Sequence, residues 1–195
     1  MKHLLILILA SLGLFSCQAQ TQIENSEDFE KISWEELNDN AIRMIGKDWM
    51  LVTAGDPEDY NMMTASWGSL GWLWQKPVVS IFIHPERHTH NYTEREEYFT
   101  ISFYKGENRE VLSKMGSVSG RKFDKMNYEK LTALTTGNGS VAFKEAALVI
   151  ECKKLYADSL SRSSFMQPEL AEKVYFDDDY HTMYVGEIIN VWRKK

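Results

Sequence analysis

Cysteine is scarce in this sequence, with two in 195 residues, and so is proline, with four. Two cysteines exclude a disulfide-stapled scaffold and a four-thiolate zinc site. Positive charge is also in deficit: 22 Lys and Arg stand against 28 Asp and Glu, a formal net charge of −6. That balance excludes a generally basic nucleic-acid-binding surface, which needs a concentration of Lys and Arg. No Gly-x-Gly-x-x-Gly follows a strand and no Walker pattern is present, which argues against a doubly wound nucleotide fold. The Gly-x-Ser-x-Gly elbow of many hydrolases is missing too. What remains is 44% hydrophobic and 26% charged, the balance of one folded core rather than a disordered or multi-span membrane chain.

The first segment reads as an address. Lys2 and His3 precede an apolar stretch from Leu4 that is too short to span a bilayer, so residues 1–16 read as a secretory signal. Leu14-Phe15-Ser16-Cys17 resembles a bacterial lipobox, which implies cleavage before Cys17 and acylation of its thiol, at an exported, periplasmic or cell-surface position. An ordinary signal peptide with a chance cysteine is the alternative. With Cys17 acylated, Cys152 has no partner for a disulfide. The polar, acidic residues 17–30 then read as a tether, and residues 31–195 as the folded domain.

Within that domain Ser33-Trp34-Glu35-Glu36 fits a capping box, with a helix expected from Leu37 to a stop at Gly46. Strands are expected at Trp49–Ala54, Asn61–Ser69, Pro77–Ile83, Tyr98–Tyr104, within Val141–Leu160 and at Met183–Trp192. The unbroken apolar run from Pro77 predicts a strand buried on both faces. Short helices are expected at Arg87–Glu97, Glu107–Met115 and from Pro168. Many strands without regular βα alternation predict a mainly β fold, a closed or sandwiched antiparallel sheet with helical insertions.

Three stretches carry candidate chemistry. Asn61–Trp74 holds three of the six tryptophans amid Thr64, Ala65, Ser66 and glycines. It suits a flat redox-active ring resting on an apolar wall with main-chain donors at its edge; a core strand followed by an aromatic contact between copies is the alternative. His84–His90 joins a strand end to a helix start, where free N–H groups, Arg87 and Thr89 make a seat for phosphate. A solvated, capped helix start fits the same residues. A metal fits them less well, because His88 and His90 diverge on a helix. Around Asp179–Ile188, His181 offers a proton or a hydrogen bond near neutral pH, or is a satisfied surface residue. Asp177-Asp178-Asp179 lacks the spacing of a calcium loop and reads as a hydrated turn.

Taken in order, Asp48–Gly55, Met63-Thr64-Ala65-Ser66-Trp67-Gly68, Leu73-Trp74-x-Lys76-Pro77-Val78, Pro85-x-Arg87-x-Thr89, Tyr98–Phe103, Ser119-Gly120-Arg121 with Asp124-Lys125, and His181-x-Met183-Tyr184-Val185-Gly186-Glu187 resemble the flavin reductase-like family. The likeness is nearest to its flavoredoxin-like branch. It covers roughly residues 31–193 and implies an FMN-binding split β-barrel, a homodimer, and an FMN-dependent oxidoreductase or electron carrier. Carried over by position, Thr64, Ala65, Ser66 and Trp67 would line the ring and ribityl chain. Ile83, His84, Arg87 and Thr89 would hold the phosphate end, Ser119, Gly120 and Lys125 would close it, and His181 would face the flavin as the catalytic side chain. His84 stands where the branch often has Arg, and Lys122 where it usually has Asp. An exported copy lies away from the cytosolic nicotinamide pool, so a protein or quinol donor is expected. The alternative is a non-catalytic module that stores flavin, haem or another planar ligand.

Overall fold

The computed structural model describes residues 21–175 and 179–195. The signal segment, Cys17 and most of the Asp177–Asp179 turn lie outside the described residues. Ten strands and four α-helices are present among those described: β1 Phe29–Ile32, β2 Met50–Gly55, β3 Tyr60–Ala65, β4 Gly68–Leu73, β5 Lys76–Ile83, β6 Tyr98–Phe103, β7 Ala133–Thr135, β8 Val141–Phe143, β9 Leu148–Ser159 and β10 Thr182–Lys194, with α1 Ala41–Arg43, α2 His88–Arg95, α3 Arg109–Ser117 and α4 Pro168–Val174. The main sheet is antiparallel throughout, in the order β3-β2-β6-β9-β10-β5-β4, and β1 adds to the far end of β10.

The sheet curls into a barrel because alternate residues of its strands share one interior. Val52 and Ala54 of β2, Ile81 of β5, Ile101 of β6 and Tyr184 of β10 meet in a single apolar cluster. A second cluster lies outside the barrel wall, where α3 and the β7–β8 hairpin cover β2 and β3 through Leu51, Met62, Leu112 and Phe143. β2 is therefore buried on both faces along its whole length. The expected double burial of β5 is corrected: Val79, Ile81 and Ile83 face the core and are buried, while Ser80 and Phe82, which alternate with them onto the other face, are partly exposed.

Two further expectations change. The capping box forms, with Glu36 accepting from the Ser33 N–H, but it starts a 3₁₀ turn at Trp34–Glu36. The helix expected from Leu37 is only α1, capped by Asn40, and continues as a π-helical turn over Met44–Asp48. The acidic stretch assigned to a tether is part of the fold from Thr21 onward. Ile23 is buried, and Phe29 anchors β1, whose register pairs it with Lys194 of β10. Those two apolar side chains, embedded in polar sequence, outweigh the acidic composition.

Candidate functional site

α3 ends against β3, and two cations finish it. The Arg87 guanidinium Nη2 donates to the Gly116 carbonyl at 2.8 Å, and the Lys125 Nζ donates to Met115 at 2.8 Å and to Met62 at 2.7 Å. Positive charge at the carbonyl end of a helix is favourable. Lys125 is nevertheless only 4% exposed, and burial, reinforced by the neighbouring Arg87 charge, pulls its ammonium down to about 8. Burial also lowers Arg87. Two desolvated like charges side by side are held at a cost that a shared anion removes.

The pocket they face is built for one. It has a volume of about 120 Å³ and is lined by Asn61, Arg87, His88, Thr89, Ser119 and Gly120, with Ser117 and Lys125. Asn61 donates to the buried Thr89 hydroxyl at 2.7 Å, which fixes that oxygen's lone pair and leaves its proton free to turn. His88 Nδ1 is buried without a hydrogen-bond partner. α2 begins here with no side-chain cap. Gly120 is required: a Cβ there would lie 2.2 Å from Asn61 Oδ1 and 2.8 Å from His88 Cδ2. Donors and two cations converge in a small space whose one lining carboxylate, Glu86, is exposed at the rim, which suits a phosphate dianion.

A flatter cleft of about 360 Å³ adjoins it through Ser117 and is lined by Trp49, Thr64, Ala65, Ser66, Leu112 and Gly116. Thr64 donates its hydroxyl to the Leu112 carbonyl at 2.6 Å, tying β3 to α3. Ser66 leads directly to Trp67, which is 46% exposed and packs 4.7 Å from the His181 ring, centroid to centroid. His84 meets His181 edge-on at 5.1 Å and lies 3.9 Å from the Asp179 carboxylate. The Glu86 N–H donates to His84 Nδ1, so in the neutral ring the proton sits on Nε2, facing Asp179.

The residues singled out from the sequence thus fall into three groups. Arg87, Thr89, Ser119, Gly120 and Lys125 share the anion pocket. Thr64, Ala65 and Ser66 share the cleft. Trp67, His84 and His181 form an aromatic cluster at its edge. His84, expected at the phosphate end, turns to His181 instead. Ile83 sits in the barrel core, so only its main chain is available to a ligand. His181 Nδ1 is buried and unpartnered, and burial, with His84 adding to it, pushes the ring down to about 4. The ring is therefore neutral at pH 7 and offers a hydrogen bond, not an acid proton. Asn61, His88 and Trp49 lie in stretches singled out above but carried no assigned role there, and Gly116 lies in none; the fold brings all four to the site. Among the described residues no group of three His, Cys, Asp or Glu is set to hold a metal.

The model of the flavin reductase like domain family matches residues 42–195. The chain belongs to the flavin reductase-like family. No curated protein matches it. Solved structures share the fold of this flavin reductase-like chain. An FMN-binding protein from Thermus thermophilus with bound p-hydroxybenzaldehyde aligns at TM-score 0.60 and 22% identity over 75% of this chain and 71% of that one. Flavoredoxin from Methanosarcina acetivorans aligns at 0.59 and 19% identity over 76% and 69%. An NADH:FAD oxidoreductase from Streptomyces globisporus aligns at 0.57 and 16% identity over 75% and 74%.

Proposed function

We propose that this flavin reductase-like chain binds FMN and works as an FMN-dependent oxidoreductase or electron-transfer protein, exported and held at a bacterial membrane by lipid on Cys17. The observation that carries the cofactor assignment is the Arg87–Lys125 pair, two partly desolvated cations facing one small pocket that opens onto a flat cleft. FMN ends in a phosphate of nearly two negative charges and carries a planar ring, and the paired spaces match those two parts. When bound, the flavin supplies the two-electron chemistry. The protein supplies position and electrostatics.

In this reading Arg87, Lys125, Thr89 and the α2 start would hold the phosphate, and Gly120 lets the 117–120 loop close on it. Thr64, Ala65 and Ser66 would carry the ring, with the Thr64–Leu112 hydrogen bond keeping that wall in place. Trp67 and His181 would screen its open edge from water, and the neutral His181 ring would orient a donor or acceptor without charging the site. The address rests on the apolar stretch from Leu4 and on Leu14-Phe15-Ser16-Cys17; no helix among the described residues is long and apolar enough to cross a membrane. That position favours a quinol or protein donor over a nicotinamide nucleotide. A homodimer fits an open apolar cleft of about 360 Å³ between Trp34, Leu37, Met44, Leu70, Trp72 and Ile188, with Trp72 61% exposed.

Native mass spectrometry of the full chain from its own membrane fraction tests the whole reading. One spectrum reports FMN, acylation and a dimer mass. A protein without flavin that takes up none when FMN is added overturns the redox assignment, and an unmodified Cys17 overturns the anchor.

A further inference from the structure

The cleft has a second neighbour that the FMN reading leaves unused. Beyond Trp49 lies a cavity of about 360 Å³ lined by Arg43, Asp48, Tyr104, Lys105, Arg109 and Leu112. Leu112 also lines the ring cleft, so the two spaces share a wall. The rest of the partition is a stack: the Arg109 guanidinium carbon lies 3.2 Å from the Trp49 ring centroid. Arg109 Nη1 donates to the Lys47 and Asp48 carbonyls at 2.7 and 3.1 Å, which holds the fork in place against the ring.

Two features set this cavity apart from ordinary surface. Among the described residues its lining has three cations, Arg43, Lys105 and Arg109, against the Asp48 carboxylate, in a chain of net charge −6. Arg43 pairs with Asp48 at 3.6 Å, and Lys105 has no acidic partner among the described residues. Trp49 itself stands at φ 69° and ψ 161°, a backbone conformation that suits glycine and that a bulky residue keeps only when its surroundings enforce it. Packing alone would be served by an ordinary strand start; the strained turn instead presents the indole to the cleft and Arg109 to the cavity.

We propose that this cavity is an anion subsite that takes the phosphate or carboxylate group of a small-molecule redox substrate whose reacting end enters the cleft beyond Trp49. The identity of the reacting end rests on the FMN reading; the anion subsite does not. The substrate class is then a planar or unsaturated molecule with an anionic tail, long enough to cross the Trp49–Arg109 partition.

The test uses the full chain in mild detergent, loaded with FMN so that the Arg87–Lys125 pocket is filled. Inorganic pyrophosphate and succinate are titrated separately by isothermal calorimetry. Saturable binding is expected, weakening with added salt and weakening about tenfold or more in Arg43→Gln/Lys105→Gln, while Arg121→Gln binds as the parent does. Binding of pyrophosphate alone assigns a phosphate tail, and binding of succinate alone a carboxylate. No saturable binding of either anion, or equal binding in Arg43→Gln/Lys105→Gln, overturns the proposal. If the chain takes up no FMN, the same titrations on Arg87→Ala, with its other anion pocket crippled, decide the subsite independently of the flavin.

Discussion

Lys125→Met separates a ligand-binding cation from a structural one. The ammonium is 4% exposed and spends two of its protons on the Met62 and Met115 carbonyls. A third is left for the pocket. One charge-assisted hydrogen bond to a phosphate is worth ~1.5–3 kcal/mol, so the variant should bind FMN roughly 10- to 150-fold more weakly. The pH profile is the sharper readout. In the free protein the group titrates at about 8, and a bound dianion raises that value, so binding takes up a proton above it. The sign follows: wild-type affinity is flat below about pH 8 and falls by up to tenfold per pH unit above it, until the value in the complex is reached. On the acid side affinity falls again as the phosphate gains its second proton near ~6. FMN fluorescence quenching, titrated from acid to alkaline pH, reads both limbs. Lys125→Met should keep the acid limb and lose the alkaline one. A wild-type profile flat above pH 8, or the same alkaline fall in the variant, refutes the reasoning.

Other outcomes follow from the same geometry. Arg87→Ala loses a half-buried charged donor and should cost about 1.5–3 kcal/mol of FMN affinity in the same assay; unchanged affinity removes Arg87 from the phosphate end. Gly120→Ala places a methyl 2.2 Å from Asn61 Oδ1, so the loop must shift. Both FMN affinity and stability should drop, the latter by about 1–3 kcal/mol in denaturant unfolding, and a variant equal to wild type in both would show that the loop does not close there. The His181 ring, depressed to about 4 from 6.5, binds its proton more readily when unfolded. Stability is therefore present above pH 6.5 and is lost as pH falls toward 4. The full shift corresponds to ~3 kcal/mol, and because the ring is only half-buried about 1–2 is expected. The loss between pH 7 and 4.5 in urea should shrink by that amount in His181→Gln, and an equal loss in both proteins would rule it out.

The strands were legible because their signals are local. The apolar run after Pro77 and the β-branched and aromatic run at Tyr98–Phe103 become β5 and β6 nearly to the residue. Which faces those strands bury was not legible. β2 is doubly buried because α3 and a hairpin from residues 133–143 return to cover it, and neither lies near it in sequence. The N-terminal stretch failed for the same reason in reverse. Its composition is that of a tether, and two buried apolar side chains fold it in: Phe29, placed by the β1 register against the last strand, and Ile23, in the turn before it.

The site shows the same division. Arg87 and Thr89 could be found from their motif, because a strand end followed by a helix start exposes N–H groups whatever surrounds it. Lys125 could be placed in the pocket by resemblance, but its character could not: it is a cation pulled down to about 8 because the fold buries it away from water and sets the Arg87 charge beside it. His84 shows the converse. Its position in the chain assigns it to the phosphate, yet the N–H of Glu86, two residues on, takes its Nδ1 and the ring then faces Asp179 and His181. A single local hydrogen bond moved it from one group to the other. A family pattern gives the address of a side chain, and the partners it meets there set its charge and direction. The pH dependence of FMN binding, which depends on that charge, is therefore a test of the fold as much as of the site.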